Sequence, residues 1–469
     1  MKPALILIFI ASLSIAAQAQ KEAPLPKDLP PYGNQPAFKP PVVKAEKLDN
    51  GLTVWLVAQP GIPKVSFDLV VLGGLAYDPP DRAGLSELMS NTINDGTMGR
   101  TAKQIAEEIQ SAGGDLSIGA DRDYISVSTS VLSSKIDLTV DLLADVVENA
   151  SFPDSEVDLA KRNLSSSLQQ REAEPGFQAD RALAHALFGS GPYSVVAPTQ
   201  DSLAKMTAGD LRREYSRRFR PDQALLVAVG DFDAAKMSEL VREKLGGWKS
   251  PAGPPETVDA KPAGAVPQGW TLIPRPDSVQ TTLLLGGFGP RRDDPDYETV
   301  RVADAIYGGT FSSRLVQNIR EDKGYTYSPR AGLSTLRQAG YLFTQADVRN
   351  AVTGASLNEI VYEMNRMATT SPTGEELTRA KRFILGVQAI ILQLDGGVAS
   401  ELANLWVNGL GPDAIAASNQ KINATTADEV NNVGRKYFPA SHMTIVVVGE
   451  EKVIRDALAP FGLPLQPAN

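Results

Sequence analysis

The chain has 469 residues with two histidines, no cysteine and a formal net charge of -9. Its length exceeds one ordinary core and implies roughly two to four domains. The acidic balance argues against a nucleic-acid partner, and the lack of cysteine excludes disulfides without identifying a compartment.

Lys2, an apolar run over residues 4–17 and then Ala17-Gln18-Ala19 read as a signal peptide over residues 1–19, cleaved after Ala19. The run is too short for a membrane span, so no stable membrane insertion is expected after cleavage. The first arginine is Arg82, which does not fit a mitochondrial transit peptide. Secretion to a Gram-negative periplasm is the simplest destination. Residues 20–41 are rich in proline and lysine without periodicity and read as an extended N-terminal arm.

Folded structure is expected from Val42. Asn50-Gly51 marks a turn, and residues 52–58 and 65–72 are β-rich runs separated by Pro60-Gly61-Ile62-Pro63. Asp78-Pro79-Pro80-Asp81 leads into a helix. Thr101 and Gln104 form a capping box for a second helix with Ile105 and Ile109 on one face, stopped by Gly113-Gly114. A strand pair follows around residues 121–123, then a helix striped by Ile136, Val140, Leu143 and Val147, and another opening at Pro153-Asp154. Residues 207–219 read as a helix and 224–230 as a buried strand. The Pro/Gly/Ala-rich residues 250–268 read as a linker between an N-terminal domain, 42–249, and a C-terminal domain, 269–469.

Beyond that linker the sequence repeats. An offset of 219 carries Thr207 to Thr426, Phe219 to Phe438, Val227 to Val446 and Gly230 to Gly449, and an offset of 213 carries Leu72-Gly73-Gly74 to Leu285-Gly286-Gly287. Two homologous α+β halves of roughly 200 residues each are implied. Each is expected to be an antiparallel-rich sheet with helices packed on one face, because strands arrive as hairpin-like runs and helices in separate blocks.

Residues 84–97 read GLSELMSNTINDGT. With the duplication, Ala112-Gly113-Gly114, Phe219-Arg220-Pro221 and residues 307–327, this segment resembles the pitrilysin/insulinase family of zinc peptidases, the inverzincins, over nearly all of residues 48–465. In that family the helix carries HxxEH, whose i, i+3, i+4 spacing puts two metal ligands and a base on one face. The matching positions here are Glu87, Ser90 and Asn91. Zinc takes His, Cys or carboxylate ligands, and only Glu87 qualifies, so it reads as an exposed helix residue. The family's third ligand, a Glu late in the helix that opens at Pro153, falls in Ser165-Ser166-Ser167, at Ser167, and Glu156 and Asp158 lie about two turns too early to replace it. No metal is expected in this chain.

Residues 307–329, YGGTFSSRLVQNIREDKGYTYSP, keep the other half of the resemblance. It implies that Arg320, near a helix end capped by Gly324, and Tyr327, entering the next strand, hold a substrate carbonyl and stabilise its developing oxyanion. Arg314 reads as structural. Gly286-Gly287-Phe288-Gly289 lacks the Lys-Ser/Thr of a phosphate loop and reads as a strand end and turn.

The resemblance implies a clamshell of two such halves and a non-catalytic, mitochondrial-processing-peptidase-like subunit. It would lend Arg320 and Tyr327 to a homologous partner that carries HxxEH and the zinc, acting on unfolded peptide. The chain alone is then not expected to be an active peptidase. The alternatives are a non-catalytic scaffold and a stand-alone peptide-binding protein of the same fold.

Overall fold

The computed structural model describes residues 38–262 and 264–466. The signal peptide expected at 1–19 and all but the end of the 20–41 arm lie outside the described residues. Of a first compact unit, residues 1–39, only the irregular residues 38 and 39 are described; a second unit holds residues 40–469.

Within that second unit the strands form two six-stranded sheets. The first comprises β1 (Lys44–Lys47), β2 (Thr53–Ala58), β3 (Lys64–Leu72), β4 (Ser117–Ala120), β5 (Tyr124–Leu132) and β6 (Ala224–Gly230), in the order β1-β2-β6-β3-β5-β4. The second comprises β7 (Gly269–Pro274), β8 (Gln280–Gly289), β9 (Arg330–Thr335), β10 (Gly340–Arg349), β11 (Thr444–Gly449) and β12 (Leu465–Gln466), in the order β12-β7-β11-β8-β10-β9. Setting aside the edges β1 and β12, the two orders are the same. The fold is α+β with two homologous halves. In each sheet one inner pair, β2 with β6 and β7 with β11, is parallel, while the remaining inner pairs are antiparallel.

Each half packs its own helices on one sheet face. In the first, α1 (Leu85–Ser90), α2 (Ala102–Ser111) and α3 (Ile136–Asn149) bring Leu88, Ile105 and Val140 into one core with Phe67, Leu69 and Val127. The expected capping box at Thr101 is formed. After α3 come α4 (Asp154–Glu172), α5 (Pro175–Phe188) and α6 (Ala208–Arg218); the second half carries α7 (Gly374–Ile391) and α8 (Asp395–Val407) among others.

The second face of each sheet is covered by a helix from the opposite half. Helix α5 lies on β8 and β11, and α8 lies on β3 and β6. Leu183 and Leu187 of α5 share a core cluster with Leu284, Val446 and Val448. Gly286 permits this approach, since a Cβ there would meet a Leu183 methyl at 2.5 Å; residues 286–289 accordingly lie within β8, which ends at Gly289, and not in a turn. Coverage on both faces explains why β6 and β11 are buried throughout and, but for Thr444, apolar.

A polar latch joins the halves. Asp123, Tyr193 and the turn between β9 and β10 meet through Tyr193 Oη to Asp123 Oδ1 (2.6 Å), Arg337 N to Asp123 Oδ2 (2.8 Å) and Gln338 N to Tyr193 Oη (3.1 Å). Residues 250–268 contain no helix or strand among the described residues. They are nevertheless tied down: Gln338 bonds Val258 O and Ala260 N, and Arg217 pairs with Glu256 at 2.9 Å.

Candidate functional site

Helix α1 is short and rigidly started. Gly84 adopts φ +87°, and a Cβ there would strike Pro198. Asp78 accepts hydrogen bonds from Gly84 N (3.0 Å), Ser86 N (3.2 Å) and Ser86 Oγ (2.5 Å), satisfying donors that a helix start leaves open. Arg218 of α6, with a side chain only 2% exposed, donates from Nη1 to the same carboxylate at 2.9 Å. Leu85, Leu88 and Met89 are buried, which leaves Glu87 and Asn91 on the outward side.

The structure brings three of the four altered zinc-site positions together. Glu87, Asn91 and Ser167 line one groove of about 620 Å³ between α1 and α4. Ser90 is apart from it, buried, with its Oγ donating to Glu87 O at 2.9 Å. One expectation needs correction. Glu87 is half-buried and paired, not exposed: Arg171, one turn beyond Ser167 on α4, donates from Nη2 to Glu87 Oε1 at 2.9 Å. Glu156 lines the same groove with Asp95, because α1 ends at Ser90 and the following turn runs back toward the start of α4, but it does not take the place of a third ligand at Ser167.

Electrostatics follow from that packing. Burial pushes the Glu87 carboxyl up, with the Arg171 guanidinium opposing it. Asp95 is also raised, by burial and then by Glu156. These residues do not fit a zinc ion. The carboxylate of Glu87 already has a cationic partner, the Ser90 hydroxyl serves the backbone, and Asn91 and Ser167 are poor ligands. Among the described residues no group of three or more His, Cys, Asp and Glu side chains is arranged to hold a metal.

Arg320 lies in a π-helical turn, Gln317–Asp322. Gly324, at φ +60°, closes it by donating to Arg320 O at 3.0 Å, while Tyr325 N donates to Ile319 O at 2.9 Å. The Arg320 guanidinium carbon sits 4.6 Å from the Phe311 ring centroid and 4.7 Å from that of Tyr327. Its ion pair among the described residues is with the adjacent Glu321, through Nε at 3.1 Å. Tyr327 is 80% exposed and lies in the loop before β9, which starts at Arg330; it does not enter the strand. The loop is held open by Gly324 and Pro329, neither of which extends a strand readily. Arg314 is structural, forking onto Glu376 at 2.7 and 2.9 Å.

Two family descriptions match this chain: Insulinase (peptidase family M16) over residues 53–195, and peptidase M16 inactive domain over residues 205–384. The chain belongs to the pitrilysin/insulinase family. Among its relatives is an uncharacterised zinc protease of Streptomyces coelicolor, 25% identical over 405 residues that cover 84% of this chain and 86% of the relative. A peptidase M16 inactive domain from Pseudomonas fluorescens superimposes with a TM-score of 0.79 at 24% identity, covering 87% of this chain and 98% of that one. A protease from Helicobacter pylori gives 0.83 at 17% identity, covering 88% and 100%. At these identities the two structures establish a shared fold.

Within this family member, sequence reasoning missed Asp78, Arg171 and Arg218. The signal for Arg171 was present: a basic residue at i+4 from Ser167, facing the one acidic residue left in the altered motif. Arg218 offered none, since nothing in a helix-ending Arg-Arg pair says which member turns inward.

Proposed function

We propose that this chain is the zinc-less subunit of a heteromeric peptidase of the insulinase family, secreted to the periplasm. It presents Arg320 and Tyr327 to the carbonyl of an unfolded peptide cleaved by a homologous partner that carries HxxEH and its zinc. The single observation that supports this reading is an asymmetry. At the altered motif the remaining carboxylate is neutralised by Arg171, whereas Arg320 is stacked in place between two rings beside an exposed phenol.

In this reading the chemistry of this chain is donation. A guanidinium fork and a phenol hydroxyl, aimed at a carbonyl oxygen as it gains charge, stabilise the transition state more than the ground state. Stacking restricts Arg320 before substrate arrives, so less side-chain freedom is lost on binding. The test is co-expression with a candidate HxxEH partner and assay of peptide hydrolysis by the purified complex. Arg320→Ala is expected to lower kcat on the order of a hundredfold, and Tyr327→Phe on the order of tenfold, with the complex intact by size. Unchanged turnover in both variants, or stoichiometric zinc in this chain alone, would defeat the reading.

A further inference from the structure

The two faces of the first sheet differ in chemistry. Along β5, Ile125, Val127 and Val131 enter the core of their own half, and Ser126, Ser128 and Ser130 alternate with them toward the opposite face. The register sets Ser130 opposite Ser66 and Ser128 opposite Asp68 on β3, and Ser117 of β4 opposite Ser128. Residues directly opposite share a face, so these side chains form one polar field. Helix α8, delivered from the other half, crosses it with Gly396, Ala399, Ser400 and Ala403. Their i, i+3, i+4, i+7 spacing is one helix face, and their small size leaves a cavity of about 340 Å³ between helix and sheet.

Asp68 is the ionisable group this cavity leaves unsatisfied, and the Thr129 hydroxyl in the same lining also lacks a partner. Asp68 is 8% exposed, and its Oδ1 has no hydrogen-bond partner. Burial pushes its carboxyl up to about 7. A second acid, Asp115, lines the cavity, and no lysine or arginine does. Arg292 reaches the rim residue Asn404 but is held there by Glu401 at 2.5 Å. A buried carboxylate without a cation is costly, and packing alone would have been served by another serine or valine. The cavity shares no lining residue with the groove at Glu87.

We propose that this cavity is a binding site for a small primary amine in its ammonium form. The charge meets Asp68, and the N–H donors of the ammonium are accepted by that carboxylate and the serine hydroxyls of β3 and β5. The volume suits a small molecule. The site is independent of the Arg320 reading, because it requires neither a partner nor peptide hydrolysis.

The test is calorimetric titration of the purified chain with ethylammonium chloride, alongside ethanol, potassium chloride and tetramethylammonium chloride, with the melting temperature followed in parallel. A saturable single-site isotherm and a raised melting temperature are expected with ethylammonium alone, since binding to the folded state stabilises it. Asp68→Asn should weaken binding by roughly tenfold or more. Ser400→Leu, which fills the cavity from the helix and leaves the carboxylate in place, should abolish it; circular dichroism and a cooperative melt check that both variants fold. Failure of ethylammonium to saturate, equal binding by Asp68→Asn, or an equal response to potassium or tetramethylammonium would overturn the assignment.

Discussion

At the scale of single residues, the pair Glu87–Arg171 decides how the altered motif is understood. An acid that was left over by the loss of its neighbours would be expected to drift to solvent, yet this one is half-buried and bonded across the groove. With side chains 21% and 31% exposed, the pair is partly screened, and its coupling is expected at about 1 kcal/mol. A double-mutant cycle of Glu87→Gln and Arg171→Met, read by urea denaturation, measures it. Arg171→Met alone should cost more than the coupling, because Glu87 then keeps its burial and loses its cation. A coupling indistinguishable from zero would mean the contact is incidental. The sequence made the loss of HxxEH plain, since it needed only residue identities at known spacing. It offered Arg171 only as a basic residue one turn beyond Ser167; that this residue pairs with Glu87 depends on how α4 lies across α1.

At the scale of elements, the start of α7 is tied to the segment that carries Arg320. Glu376 closes a capping box with Thr373, and its carboxylate also receives the Arg314 fork. Those bonds, the Arg314 pair foremost, hold the carboxyl well below its ordinary 4.5, at about 2. The folded state therefore keeps Glu376 ionised while unfolded chains take up its proton. Its contribution is fully present above about pH 4.5 and is lost as pH falls toward 2. Denaturant titrations between pH 2 and 7 should show that acid limb in the wild type and a flatter one in Glu376→Gln, which should also be less stable at pH 7 because Arg314 is left buried without its partner. Strands and helices were legible from apolar runs and capping residues: the Thr101 box and the buried strand at 224–230 stand where the sequence puts them, and the offset of 219 carries that strand onto 444–449. The serine alternation 126/128/130 is also written in the sequence as a period of two, but it was not read there as a second, polar sheet face. What that face meets, α8, lies more than 250 residues onward, and no local pattern carries that information.

At the scale of the whole molecule, the duplication was readable from offsets in the sequence, but the exchange of helices between halves was not. Both arrangements bury the same apolar stripe of α5, so its Ala179, Leu183 and Leu187 are silent about which sheet receives it. The exchange makes each half incomplete. A fragment ending near residue 250 would expose α5 and strip α8 from β3 and β6, so neither half is expected to fold alone, while the intact chain should unfold in one cooperative transition. Co-expression of residues 40–258 with 259–469 should restore a soluble complex that resists dissociation, and recovery of either half as an independently melting domain would refute this. For a lineage that began as one copied unit, the crossed helices act as a ratchet. Once each copy had come to depend on the other's helix, neither could be discarded or set free, and the altered copy was kept by its twin however far its chemistry drifted.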